Sequence, residues 1–221
     1  MSEFYENLIA PDMYNMADDL LKAPSDRLAL IWENEAGDER TVTYGELSGM
    51  VGRLGNVLKD IGLKKGERVM VMMPRLPETY AIYMSLLKSG LVILPGSELL
   101  MPGDIEYRLN HAEVRAVIAH HTFTSRFDEA FKQSPTVQYR LAVGGDVPGW
   151  LSYDALTQEA DEAFSGEQTS RDDLAFLSYT SGTTGYPKGV MHTHGWGYAH
   201  FRIAAERWLG SEPLSRVWAT L

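Results

Sequence analysis

Short apolar segments alternate with amphipathic segments between residues 66 and 143. The apolar segments, which have the length of β-strands, are 69–73, 91–94, 114–119 and 139–143, and segments with helical spacing lie at 78–88, 105–110 and 123–132. Uninterrupted apolar strands that alternate with helices require a parallel sheet covered on both faces. Because crossovers between parallel strands are right-handed, the sequence predicts an α/β fold with a doubly wound parallel sheet and flanking helices.

The residues before this alternation predict a β-hairpin followed by a capped helix. Strands are expected at 28–32 and 41–44, joined by a polar loop. Thr43 and Glu46 have the spacing of a capping box, and the apolar residues that follow keep helical spacing as far as the glycine at position 62.

The residues after the alternation predict a boundary between two units. Residues 148–173 are rich in Gly, Ser, Thr, Asp and Glu around a predicted helix at 153–164, a composition typical of a connector. We therefore expect residues 1–170 to form a first α/β subdomain. Residues 171–221 are expected to begin a second subdomain that is β-rich or α/β.

Residues 179–189, Tyr-Thr-Ser-Gly-Thr-Thr-Gly-Tyr-Pro-Lys-Gly, are rich in hydroxyl groups and glycine and lie between two apolar stretches. The residues suited to an anion are Thr180, Ser181, Gly182, Thr183, Thr184, Gly185 and Lys188. Glycines allow backbone N–H groups to converge on phosphate oxygens, hydroxyls donate directional hydrogen bonds, and the lysine adds a compact positive charge. The segment predicts a phosphate-binding loop, although composition alone leaves an ordinary hairpin loop open.

The order of residues in this loop excludes two common nucleotide motifs. The P-loop of nucleotide triphosphatases ends in Gly-Lys-Ser/Thr, whereas Lys188 follows a proline and precedes a glycine. No Gly-x-Gly-x-x-Gly opens a helix here, so the dinucleotide-binding fingerprint is also absent from the loop.

Composition limits the other functions that the chain can have. A formal net charge of -10 argues against non-specific binding to nucleic acid or an anionic membrane. With no cysteine and no His-Glu-x-x-His arrangement, no metal site is predicted. Neither a signal peptide nor a run of eighteen apolar residues is present, so we expect no membrane span and a cytoplasmic protein.

The loop resembles the signature loop of the adenylate-forming family, which contains AMP-forming acyl-CoA synthetases, adenylation domains of peptide synthetases and firefly luciferase. The segments Thr-Tyr-Gly-Glu-Leu at 43–47 and Leu-Lys-Ser-Gly-Leu-Val-Ile-Leu-Pro at 87–95 resemble two further elements of that family. The resemblance implies that Lys188 and the loop hold the phosphates of ATP. It also implies ATP, Mg²⁺ and CoA as cofactors and a small carboxylic acid as substrate, and it favours an acyl-CoA synthetase.

The segment after the loop carries histidines and aromatic residues. Strand alternation along 190–194 predicts that His192 and His194 share one face. By resemblance, His194 matches a histidine near the acyl-binding site and is a candidate catalytic residue together with Lys188. Residues 195–208 predict an amphipathic helix whose aromatic side chains either line an acyl pocket or pack in the core.

The resemblance runs from Thr43 to the Trp218–Thr220 stretch, and complete members of the family are more than twice as long. A Tyr-Gly-x-Thr-Glu segment, a ribose-binding aspartate and a mobile C-terminal domain with a catalytic lysine would follow Leu221. We therefore expect this chain to be the N-terminal part of an acyl-CoA synthetase and to be inactive in isolation. The alternative is a non-catalytic nucleotide-binding or interaction module derived from that family.

Overall fold

The computed structural model describes residues 7–181, 185–208 and 210. Its strands are β1 (Leu28–Glu33), β2 (Glu39–Thr43), β3 (Arg68–Met72), β4 (Val92–Pro95), β5 (Ala116–His120), β6 (Tyr139–Val143), β7 (Leu151–Ser152), β8 (Leu174–Thr180) and β9 (Lys188–Thr193). Its α-helices are α1 (Met16–Leu20), α2 (Tyr44–Asp60), α3 (Pro77–Lys88), α4 (Pro102–His111), α5 (Asp128–Lys132), α6 (Tyr153–Glu159) and α7 (His194–His200). A 3₁₀ helix covers His121–Phe127, and a π-helix covers Phe201–Trp208.

Seven strands form one sheet in the order β7-β6-β5-β3-β4-β8-β9. All neighbouring pairs are parallel except β8 and β9, which pair antiparallel. Strands β1 and β2 form a separate antiparallel hairpin. The predicted α/β fold with a doubly wound, largely parallel sheet is therefore confirmed.

Alternate residues of the central strands point into two different apolar layers. Val69 and Val71 of β3 pack on one face with α2 and α3, in a cluster that includes Leu54, Leu58, Ile82 and Leu86. Met70 and Met72 pack on the other face with α4 and the 3₁₀ helix, in a cluster that includes Ile105, Leu109 and Phe127. Burial on both faces explains why these strands are continuously apolar in sequence.

Helix α2 begins at the predicted capping box. The Glu46 carboxylate accepts a hydrogen bond from the backbone N–H of Thr43 at 2.7 Å, and the Thr43 hydroxyl accepts one from the N–H of Glu46 at 3.2 Å. The helix ends at Asp60, just before the predicted glycine stop. The hairpin β1–β2 leads directly into this cap, as the sequence predicted.

The predicted helix at 153–164 is too long, because α6 ends at Glu159 and the chain then crosses α2 in irregular conformation. The Asn56 amide of α2 donates to the carbonyl oxygens of Asp161 and Ala163 at 2.8 and 3.0 Å. A Cβ atom added at Gly52 would overlap the carbonyl oxygen of Glu162, so only glycine permits this crossing. Hydrogen bonds to Asn56 replace those that a longer helix would have made.

The strand predicted at 190–194 also differs from the structure. Strand β9 starts earlier, at Lys188, and ends at Thr193, whose hydroxyl accepts a hydrogen bond from the N–H of Trp196 and caps α7. His194 is therefore the first residue of a helix, and the prediction that His192 and His194 share a strand face is wrong. The predicted helix at 195–208 is present, but its second half has π geometry.

Both predicted units contribute to the central sheet, since β8 pairs with β4. The boundary at residue 170 remains a prediction. The apolar stretch at 217–221, at the end of the family resemblance, lies outside the described residues. Within the described ranges, no helix has the length and apolar character needed to cross a membrane.

Candidate active site

The glycine- and hydroxyl-rich loop connects β8 to β9 at the tip of an antiparallel hairpin. Tyr179 pairs with Gly189 and Thr180 pairs with Lys188, so the two stems are in register up to the loop. Because β8 runs parallel to β4, the loop leaves the sheet at the carboxyl edge of the parallel strands. Ligands of open α/β sheets bind outside this edge.

The described loop residues are open to solvent. Thr180, Ser181, Gly185 and Lys188 are all exposed. Gly185 has φ of 124°, a backbone conformation that residues with a side chain rarely adopt. Gly182, Thr183 and Thr184 (182–184) lie outside the described residues, so their predicted phosphate contacts remain predictions.

Lys188 forms no salt bridge with a carboxylate in the part of the chain that the structure describes. Lys188 is exposed, and it pairs across the hairpin with Thr180, which directly precedes the exposed Ser181. An exposed cation without a salt bridge to any described residue, two hydroxyl donors and a glycine with positive φ are a donor set that fits phosphate oxygens.

An aromatic cluster holds the two stems of this loop against α4. The Tyr107 ring stacks on Tyr186 with centroids 5.0 Å apart, and its hydroxyl donates to the carbonyl oxygen of Pro187 at 3.1 Å. A hydrogen bond of 2.7 Å joins His111 Nδ1 and the Tyr179 hydroxyl. Burial and the neighbouring Tyr107 raise the pKa of Tyr179, so its hydroxyl stays neutral at physiological pH.

Sequence reasoning did not assign this cluster to the site. Tyr107 lies in the helix predicted at 105–110 and His111 follows it directly; a separation of four residues places the two on one face if the helix continues. The periodicity could have identified that face. It could not have shown that the face meets a loop 80 residues later, because that contact depends on the order of strands in the sheet.

His194 lies at the other end of β9 from Lys188. Six residues of extended chain separate the ends of this strand, a length of about 20 Å. The His194 side chain is fully buried, and its Nδ1 accepts a hydrogen bond from the backbone N–H of Met16 at 3.0 Å. These contacts tie α7 to α1, and the catalytic role of His194 stays a prediction.

Burial lowers the pKa of His194 to about 4, and the nearby Asp173 carboxylate offsets only part of this effect. The imidazole is therefore neutral at pH 7. Since Nδ1 accepts a hydrogen bond, the proton is on Nε2, which has no hydrogen-bond partner among the described residues.

The aromatic residues of the last two helices differ in exposure. Phe201 packs against the main core cluster, which agrees with the prediction that aromatic residues of this segment pack in the core. Trp196 and Trp208 are 42% and 76% exposed, so neither is a core residue in the part of the fold described. In those same ranges, no group of three or more His, Asp or Glu side chains is arranged to hold a metal ion.

A family model described as AMP-binding enzyme matches residues 17–221, which include the loop, both of its stems and the whole central sheet. The chain belongs to this AMP-binding enzyme family. The match also includes Tyr107 and His194, so the aromatic cluster and the buried histidine lie within the family domain.

Two curated proteins, both named as acyl-CoA ligases or synthetases, are similar to most of this chain. It is 43% identical over 218 residues to the uncharacterized acyl-CoA ligase YtcI of Bacillus subtilis (strain 168), a match that covers 97% of this chain and 40% of that protein. It is 34% identical over 195 residues to the mitochondrial acyl-coenzyme A synthetase ACSM4 of Rattus norvegicus, covering 86% of this chain and 33% of that protein. The chain thus spans less than half the length of these relatives.

A solved structure of a CoA ligase has a similar fold over most of this chain. The anthranilate CoA ligase AuaEII, solved in complex with anthranoyl-AMP, superposes with a TM-score of 0.81 at 27% sequence identity. The match covers 90% of this chain and 38% of that one. The ligand in that structure, anthranoyl-AMP, is an acyl-adenylate.

Proposed function

We propose that this chain is the N-terminal part of an AMP-forming carboxylate-CoA ligase. The observation that carries the proposal is that Thr180, Ser181 and Lys188 are exposed at the carboxyl edge of the parallel strands, where Lys188 forms no salt bridge with any described residue. Membership of the AMP-binding enzyme family and the relatives named acyl-CoA ligase support it.

The proposed reaction has two steps. A carboxylate oxygen attacks the α-phosphorus of ATP, and the bond from that phosphorus to pyrophosphate breaks, leaving an acyl-adenylate. The sulfur of CoA then attacks the acyl carbon, and AMP leaves. Mg²⁺ bound to the nucleotide would neutralise part of the phosphate charge.

In the first step, the loop residues bind the β- and γ-phosphates. The Thr180 and Ser181 hydroxyls donate hydrogen bonds to phosphate oxygens, and Lys188 stabilises the negative charge that develops on pyrophosphate. Groups that are already oriented toward a developing charge stabilise the transition state without reorganisation, so positioning supplies most of the catalysis.

The proposal also covers the two units predicted from the sequence and the low activity expected of the chain alone. Residues 171–221 would contribute the loop stems and begin a subdomain that the longer relatives complete. We propose that the 221-residue chain alone turns over ATP far more slowly than the full-length protein. Comparable rates for the two in one assay would contradict this.

The test is the nucleotide product formed by the full-length protein with ATP, Mg²⁺, CoA and a panel of aromatic, medium-chain and short-chain carboxylates. The proposal predicts that AMP and pyrophosphate form, and that their formation requires a carboxylate of one class in the panel. Formation of ADP and phosphate would contradict it. Binding of ATP without conversion by any acid would instead support the non-catalytic nucleotide-binding module.

A further inference from the structure

Helix α4 touches the loop immediately before Lys188. The Tyr107 hydroxyl donates to the carbonyl oxygen of Pro187 at 3.1 Å, and the Tyr107 ring stacks on Tyr186 with an angle of 17° between the planes. These two loop residues directly precede Lys188 in the chain. The position of the lysine is therefore coupled to that of Tyr107.

The same helix also touches the stem by which the chain enters the loop. The hydrogen bond between His111 and Tyr179 is 2.7 Å long, and the Tyr107 ring meets the Tyr179 ring edge-on, with centroids 6.2 Å apart. Tyr107 and His111 stack on each other at 5.3 Å. We call the four residues Tyr107, His111, Tyr179 and Tyr186 the aromatic clamp.

The contacts of Tyr107 are separate from those that attach α4 to the sheet. Ile105 and Leu109 are fully buried in the core cluster, whereas Tyr107 is partly exposed. Tyr186 is 77% exposed, so the energy of the core does not depend on where its ring lies. A change at Tyr107 can thus release the loop while the helix remains in place.

We infer that Tyr107 is a positioning residue for the phosphate loop. It holds residues 185–188 in the conformation that receives the phosphates of ATP. The inference rests on the proposed function, because it assigns the loop to ATP. A loop that is ordered before the ligand binds loses less conformational entropy on binding, so the clamp strengthens the interaction with nucleotide. We expect no such effect on binding of the carboxylate, because the contacts of Tyr107 described above are with its own helix, with Tyr179 and with the two residues that precede Lys188.

Two variants of the full-length protein separate the parts of the clamp. Tyr107→Phe keeps the ring and removes the hydroxyl, whereas Tyr107→Ala also removes the ring and with it the contacts to His111, Tyr179 and Tyr186. The control is Tyr80→Ala, because Tyr80 is 46% exposed and lies on α3. The measurements are KM for MgATP and for the carboxylate in pyrophosphate exchange, melting temperature, and hydrogen-deuterium exchange of residues 185–189 without nucleotide.

We expect Tyr107→Ala to raise KM for MgATP about 10-fold, as the loss of one hydrogen bond and one aromatic stack implies. KM for the carboxylate should change less than about two-fold, which is within the effect of a neutral surface substitution. Tyr107→Phe should recover most of the loss, and deuterium uptake at 185–189 should increase in Tyr107→Ala. The Tyr80→Ala variant should behave like the wild type.

An unchanged KM for MgATP in Tyr107→Ala would overturn the inference, and so would an equal rise of both KM values with a lowered melting temperature. Deuterium uptake distinguishes this failure from failure of the proposed function. If the wild type catalyses no exchange, the ligase assignment fails; faster uptake at 185–189 in Tyr107→Ala still supports the clamp, and unchanged uptake overturns it.

Discussion

Strands β3 and β9 lie in the same sheet and have opposite surroundings. Strand β3 is central, and four of its five residues are buried between helices on the two faces. Strand β9 is at the edge, and its first four residues are exposed. The polar side chain of the central strand, Arg68, already contacts the Ala112 carbonyl and the Glu113 carboxylate. The edge strand begins with Lys188, which forms no salt bridge with any described residue.

We infer from this difference that the residues around β3 determine stability and that the residues at the start of β9 serve ligand binding. Residues around β3 contribute mainly to the free energy of unfolding, because each buried side chain contacts helices on one face. Residues at the start of β9 contribute little to unfolding, because they make few buried contacts. The predictions below compare substitutions in the two regions and run from the largest expected loss of stability to the smallest.

The largest loss is expected for Ile118→Ala in β5, next to β3. Ile118 is fully buried, so its truncation removes apolar burial and leaves a cavity that costs about 2–5 kcal/mol of unfolding free energy. Urea denaturation measures this loss. The matched control is Ile31→Ala, because Ile31 is 52% exposed on the separate hairpin; a similar loss for both isoleucines would contradict the comparison.

The buried imidazole of His194 predicts a pH dependence. Its folded pKa is about 4 and its unfolded value is near 6.5, so the unfolded state binds a proton first as the pH falls. The fold should therefore lose stability between pH 6.5 and about 4, by roughly 3 kcal/mol for this residue alone. Above pH 6.5 both states are neutral and the effect is absent.

The His194→Asn variant isolates this contribution, because the asparagine oxygen can accept the hydrogen bond from Met16 without titrating. Its unfolding free energy should fall less steeply than that of the wild type over the same pH range. The control is His200→Asn, since His200 is exposed. Equal slopes for wild type and His194→Asn would contradict the prediction.

A smaller loss is expected for Gly52→Ala in α2. The added Cβ would overlap the Glu162 carbonyl oxygen, and moving the crossing segment costs about 1–3 kcal/mol. Gly103→Ala in α4 is the control, because no atom lies within 4 Å of its added Cβ; it should be neutral or stabilise by about 0.5–1 kcal/mol. Thermal unfolding of both variants measures the difference, and equal effects would show that the helix crossing is looser than the structure indicates.

The same contrast explains what could be predicted from the sequence. The strands and helices around β3 follow from apolar periodicity, because burial on two faces leaves a direct pattern in the chain. The loop 180–188 follows from residue type and order, since phosphate binding requires particular donors. Both signals are local in sequence.

The remainder depends on contacts between distant segments. The helix that ends at Glu159 is shortened by Asn56 and Gly52, more than 100 residues earlier. His194 is buried because α1 donates the Met16 N–H to it, although strand alternation suggested a shared face with His192. Tyr107 reaches the loop because β8 lies next to β4, and no periodic pattern encodes that strand order.

The most direct test of the account is a paired measurement on Lys188→Ala in the full-length protein. The account predicts an unfolding free energy within about 0.5 kcal/mol of the wild type, together with carboxylate-dependent pyrophosphate exchange lowered about 10-fold to 1000-fold. Lys132→Ala is the control, because the Lys132 side chain is 63% exposed and its salt bridge within the described residues is with Glu129, three residues before it. Unchanged exchange in Lys188→Ala, at unchanged stability, would contradict the assignment of this loop to the phosphates of ATP.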